Sequence, residues 1–287
     1  PHVATALFFC VILAYITPIL HYITRRTEEA FDELAPQLAL TREARSRVRS
    51  GISEKSALWF LVNTTLGISI WLLQSWLLLG SFVEMKRALT LNVVSFAGSI
   101  FSLLVWVFLT CAIHALVDNA RLFRGLTREV NIDLLDTHAL TPFAQMAVSS
   151  TLVVIGIQAT FPIMWLGGMM NPWTTIPGLI VTTFPLAYLF VAPVWPIHTA
   201  LREVKRTELA RVQEEIDSRR QDQPQPSWHT LEAVAPLLTY RREIASVPEW
   251  PFDLSIMARF GLYLVIVPLT WIGAALIERL VELFVGS

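Results

Sequence analysis

Six apolar runs, each long enough to cross a lipid bilayer as a helix, constrain this chain more than any other feature. They cover residues 3–23, 57–80, 93–117, 146–170, 176–197 and 256–277. A bilayer core about 30 Å thick takes about 20 apolar helical residues to cross. Five of the runs contain no Asp, Glu, Lys or Arg, and the sixth contains only Arg259, close enough to its start to snorkel into headgroups. Inside hydrocarbon every backbone N–H and C=O must find a partner within the protein, which leaves helices as the form such runs take. Only 16% of the 287 residues are charged, against about a quarter in a soluble domain. The expectation is an all-α integral membrane protein with six transmembrane helices, the first run being a true span and not a cleaved leader.

The connections set the orientation. Those at 24–56, 118–145 and 198–255 hold 18 of the 22 Lys and Arg residues, which places them in the cytoplasm and both termini on the other side. The expected membrane is the plasma (inner) membrane. Three parts follow: residues 1–197, with five spans and helical cytoplasmic loops at 24–56 and 118–145; residues 198–250, a cytoplasmic helical hairpin; and residues 251–287, with the sixth span and an outer tail. Cys10 and Cys111 fall at different depths, so no disulfide framework is implied.

The hairpin follows from periodicity. Leu201, Val204, Leu209, Val212 and Ile216 share one helical face, and Glu208, Arg211, Glu215 and Arg219 offer pairs three or four apart on the other. Pro224 and Pro226 then interrupt the pattern. A second run follows, with Leu231, Val234, Leu238 and Ala245 on one stripe. The frame Pro-x-Trp-Pro marks both ends of this segment, at 193–196 and 248–251. Trp195 and Trp250 are read as interfacial anchors, and the flanking prolines as breaks that bend the chain between membrane and cytoplasmic helices. In the first loop Thr27 is the expected N-cap of a new helix, with Pro36 and Gly51 as its punctuation. In the second, Leu122, Leu126, Val130 and Leu134 recur every four residues, for packing on the membrane surface or on the other loops.

The runs hold no carboxylate near their middle, which argues against a buried Asp or Glu as a proton or sodium relay. The neutral polar residues Asn63, Thr64, Gln74, Gln158, Thr182 and Thr183 remain as candidates to line a pore; helix-to-helix bonding is the competing reading, favoured for the threonines and balanced for Asn63 and Gln158. His21 and His114, near the cytoplasmic ends of their spans, are a remote candidate pair for haem. No zinc, nucleotide or acyl-transfer motif occurs, so no metal, cofactor, nucleic-acid partner or catalytic residue is expected. The expected partners are the lipid bilayer and either further copies of the chain or other membrane proteins. The expected function is a homo-oligomeric channel or passive conduit gated or assembled by its cytoplasmic helices; the alternative is a non-catalytic subunit or scaffold of a larger membrane complex.

Overall fold

The computed structural model describes the backbone of residues 2–91, 93–163, 172–221 and 228–250, with scattered helical positions between 258 and 276. The described residues are helical throughout, apart from turns and one isolated antiparallel bridge between Leu38 and Val130. Eight helices are α1 (His2–Leu34), α2 (Arg42–Ser53), α3 (Ala57–Leu79), α4 (Phe82–Leu91), α5 (Val93–Leu126), α6 (Thr141–Gln158), α7 (Pro172–Gln221) and α8 (Trp228–Ser246). Five stretches among the described residues are long and apolar enough to cross a membrane, and they contain the first five runs in whole or in part. The sixth run, the proline-containing stretch at 222–227 and the glycine-containing stretch at 164–171 lie largely or wholly outside the described residues.

Burial orders the bundle. In α6, 67% of the most apolar window is inside the protein, against 11% in α3, so α6 is the central helix and α3 is peripheral. An apolar cluster joins α1, α5, α6 and α7 through Ile12, Ile16, Leu116, Val154, Ile157 and Leu189. Two close approaches set the helix spacing. A Cβ on Gly67 would lie 2.7 Å from the Val107 Cα, so α3 seats on α5 only because that position is glycine. On the opposite flank the Tyr15 hydroxyl crosses Gly156 and donates to the Val153 carbonyl, fastening α1 to α6. Gly80, at φ 72°, takes the left-handed conformation that ends α3.

A second cluster forms at the end where the basic connections gather. Phe31 and Leu34 of α1, Phe123 of α5, Phe143 of α6, Leu201 of α7 and Ile244 of α8 meet there. Phe123 and Phe143 pack edge to face at 5.7 Å, a favourable arrangement for two ring quadrupoles. Leu126 and Leu134 are buried in this cluster with Val130 against it, so the four-residue spacing in that connection serves loop-on-loop packing. Helical form ends at Leu126, however, and the segment turns back to hydrogen-bond the 37–39 backbone.

Several expected helix boundaries are overturned. Thr27 is not an N-cap: α1 continues through it, and its buried hydroxyl donates to the Ile23 carbonyl. The N-cap role falls instead to Thr41, which accepts from the Ala44 N–H at the start of α2. Gly51 does not stop α2, since an interior glycine costs a helix only about 1 kcal/mol. The frame at 193–196 does not break the chain either. Helix α7 runs through it for 50 residues, and its apolar part gives way after Ile197 to the charged face of the hairpin. A proline deletes one donor, and buried Leu189, Val194 and Ile197 hold this stretch against the core regardless.

The hairpin itself is antiparallel: Glu208 meets Tyr240, Lys205 meets Ala245, and His198 meets Glu249, in opposite chain order. Its stripe on α7 is as read, with Val212 and Ile216 buried. On α8 the seam is Val234, Leu237, Tyr240 and Ile244, while Leu238 and Ala245 face outward. Pro236 lies inside α8.

Replacing Gly67 with Val should push α3 off α5 and lower stability by about 1–3 kcal/mol. The shift of the unfolding midpoint in detergent measures it, and Gly98→Val, where a Cβ meets nothing within 4 Å, serves as the control that should change little.

Candidate functional site

The α3–α5 seam carries the densest polar constellation among the described residues. Asn63 is fully buried, and its Nδ2 donates to the Trp59 carbonyl one turn earlier at 2.8 Å. That bond fixes the amide: Oδ1 is left to accept, and it lies 2.7 Å from His114 Nδ1. The hydrogen therefore sits on Nδ1. The other ring nitrogen, Nε2, faces Asp118 Oδ1 at 3.4 Å. Asp118 Oδ2 accepts from Trp59 Nε1 at 2.8 Å, and Lys55 Nζ and an Arg121 nitrogen stand 4.0 and 3.8 Å from the same carboxylate. Trp59 also packs against the His114 ring at 5.5 Å.

Two i, i+4 pairs build this arrangement, Trp59 with Asn63 on α3 and His114 with Asp118 on α5, because such residues share one helix face. The sequence reading singled out Asn63 and His114 separately and passed over Trp59, Asp118, Lys55 and Arg47. The signal was present in the matched spacing at the same end of two neighbouring runs. Beside the constellation lies a cavity of about 250 Å³ between α2 and α5, lined by Arg47, Val48, Gly51, Ile52, Lys55, Asp118, Asn119 and Leu122. Asn119 is itself buried and donates to Thr27.

The remaining pore candidates are placed as follows. Gln74, eleven residues and about 16 Å along α3 from Asn63, accepts from Trp106 Nε1 on α5. Thr64 is half-buried. Gln158 is buried at the end of α6. The side chains of Thr182 and Thr183 lie outside the described residues. Thr65, Ser69, Ser99, Thr110 and Thr151 all donate to carbonyls four residues back in their own helices. As for haem, both ring nitrogens of His114 already face protein groups, and His21 is exposed. No group of three or more His, Cys, Asp or Glu side chains among the described residues could hold a metal. Cys10 and Cys111 are both free thiols.

The two Pro-x-Trp-Pro frames come together at the base of the hairpin. His198 stacks on Trp250 at 3.9 Å and 10°, and lies 6.1 Å from Trp195. Its Nδ1 bonds the Glu249 carbonyl at 2.7 Å. Lys205 Nζ donates to the Ala245 and Val247 carbonyls, which closes the C-terminus of α8. Both tryptophans are exposed. Further along the hairpin Arg211 holds Glu208 in a two-pronged pair, and Tyr240 donates to the same carboxylate across the seam. The Arg211 guanidinium, and after it the Tyr240 hydroxyl, hold the Glu208 carboxyl below its ordinary value of 4.5. Glu208 in turn pushes Tyr240 up.

Comparison of the chain with known protein families, curated proteins and solved structures gives no match.

The seam should behave as one unit. Asn63→Leu and His114→Leu should each destabilise, the second more because it leaves the fully buried Asn63 Oδ1 unpaired while the His114 ring is only partly buried, at about 1–3 kcal/mol. The double variant should lose less than the sum by about 1 kcal/mol, read as a thermodynamic cycle of unfolding midpoints. The hairpin should be pH-sensitive. A carboxylate with a lowered folded value adds stability that is present above its unfolded value of about 4.5 and lost as pH falls through the lower folded one. Hydrogen exchange of 234–246, corrected for intrinsic rates, should show α8 loosening as pH drops below about 4.5, and Glu208→Gln should remove that dependence.

Proposed function

We propose that the chain is an integral membrane protein that acts as a non-catalytic subunit or scaffold, holding a charged cytoplasmic hairpin at a fixed position relative to the bilayer. Its spans sit in the plasma (inner) membrane, with the basic connections in the cytoplasm and both termini on the other side. Trp195 and Trp250 lie at the headgroup level and anchor the base of the hairpin. The exposed apolar faces support this placement: Leu58 is 68% and Val93 82% exposed, and neither meets a protein partner that would cover it from water.

The observation that carries the reading is α7. At 1.5 Å per residue its 50 residues extend about 75 Å, well over the bilayer's own thickness. Leu186, Tyr188, Leu189 and Ala192 in its apolar half pack into the cluster shared with α5 and α6, and its charged half forms one arm of the hairpin. One helix therefore joins the two layers. The outer surface of the hairpin presents exposed Arg202, Arg206, Glu214, Arg241 and Arg242 to a soluble partner. The neutral polar residues of the spans favour the same reading, because those described with bonds are committed to neighbouring helices or to their own backbone. A conduit built from this chain would need a path formed between copies, along faces that are apolar on α3.

Native mass spectrometry of the complex, gently extracted from its own membranes, tests this. The subunit reading expects stoichiometric unrelated chains. A closed ring of this chain alone, conducting in a planar bilayer, would overturn it in favour of the channel.

A further inference from the structure

The cavity between α2 and α5 has a composition that its neighbours do not use up. Its walls are apolar at Val48, Ile52 and Leu122 and cationic at Arg47 and Lys55. Asp118 is the one carboxylate in the lining, and it is already surrounded: it accepts from Trp59 and faces His114, Lys55 and Arg121. Arg47 has no ion-pair partner among the described residues, unlike Arg49, which pairs with Asp32. Lys55 is largely covered; its Nζ donates to the Gly51 carbonyl in a long bond of 3.4 Å and lies 5.9 Å from the Trp59 ring, and its nearest carboxylate oxygen is 4.0 Å away, too long for a hydrogen bond, so the ammonium has donors left over. Glu54, its neighbour in the chain, is exposed and outside the lining. The lining thus sets two cations, Arg47 and Lys55, against a single carboxylate that four groups already share. Such a site has unused capacity for an anion with several acceptor oxygens.

Position narrows the anion. The cavity sits where α2, a polar helix rich in arginine, hands over to α3 at Ala57. The exposed apolar side chains of α3 begin at Leu58, three residues beyond Lys55, and continue through Leu61 and Val62. Basic pockets between spans on the cytoplasmic side are where anionic headgroups bind, with the acyl chains lying on the adjacent helix. A volume of about 250 Å³ equals roughly eight waters at ~30 Å³ each, which suits a phosphate with part of its glycerol. Gly51 lines the cavity, and a Cβ there would meet nothing within 4 Å, so the space beside α2 is open.

We propose that this cavity binds the phosphate of an anionic phospholipid through Arg47 and Lys55, fastening α2 to the bilayer beside the Asn63–His114–Asp118 seam. The proposal rests on the membrane placement given above, which is checked separately by whether the chain stays with membranes after an alkaline wash.

The test uses the full chain in nanodiscs of equal phosphatidylglycerol and phosphatidylcholine, with retained lipid identified by native mass spectrometry. Wild type should retain phosphatidylglycerol preferentially. Arg47→Gln and Lys55→Gln should each cut that preference about fivefold. Gly51→Leu, which fills the cavity with every charge in place, should abolish it, and Arg42→Gln, an exposed arginine outside the lining, should leave it intact. A parallel arm titrates inorganic phosphate into lipid-free protein in detergent and follows Tm. Stabilisation of wild type but not of Lys55→Gln, without any lipid preference, would keep the anion site and assign it to free phosphate. Equal retention of the two lipids with no effect of phosphate would overturn the proposal. So would an unchanged preference in Gly51→Leu and Arg47→Gln.

Discussion

Every feature of this protein depends on where its backbone and side-chain polar groups find partners. Long apolar runs have no water to bond with in hydrocarbon, so their backbones close on themselves as helices. The few polar side chains within them obey the same demand. Thr and Ser donate to carbonyls one turn back, Gln74 meets Trp106, and Asn63 meets His114. Helix association in lipid gains little from burying apolar surface, so small residues and these bonds decide which faces touch. Gly67 lets α3 approach α5, and the Asn63–His114 bond fixes the rotation at which it does so.

At the basic end, which the proposed placement puts in water, a second core takes over. The cluster around Phe31, Phe123 and Phe143 is a small aqueous-type core that gathers the ends of α1, α5 and α6 with the middle of α7 and the end of α8. It binds the hairpin back to the bundle, and His198, Trp250 and Lys205 close the remaining gap by stacking and by capping α8. The polar seam of α3 and α5 ends beside this layer. Its charged members, Asp118, Lys55 and Arg121, therefore lie where bilayer and water would meet.

The existence of five long apolar helices, and roughly where each begins, were legible because a bilayer-length apolar block is a signal that composition alone carries. The hairpin seam on α7 was legible from its period. Helix ends were not. Charged residues after an apolar run read as a connection, yet Arg25–Leu34 and Asp118–Leu126 simply prolong α1 and α5, because charge does not terminate a helix once it is nucleated. Thr27 looked like a cap for that reason, and the prolines at 193–196 looked like a break because their lost donors were weighed without the packing that compensates. On α8 a four-residue step from Val234 selected Leu238, whereas the seam follows Leu237 and Tyr240. The candidate site was half legible. Asn63 and His114 stood out as polar residues in apolar runs, but nothing in a single chain said that they face each other, or that Trp59 and Asp118 complete the set.

The central claim is that α7 is one strut from the apolar layer into the hairpin. Spin labels at Ala187 and Glu214, both exposed, with Cys10 and Cys111 replaced, would measure it directly by pulsed electron resonance in nanodiscs. A continuous helix over those 27 residues predicts one narrow distance near ~40 Å. A distribution centred well below ~30 Å, or a broad one, would mean that the chain bends at the Pro193–Pro196 frame and that the hairpin is hinged rather than held.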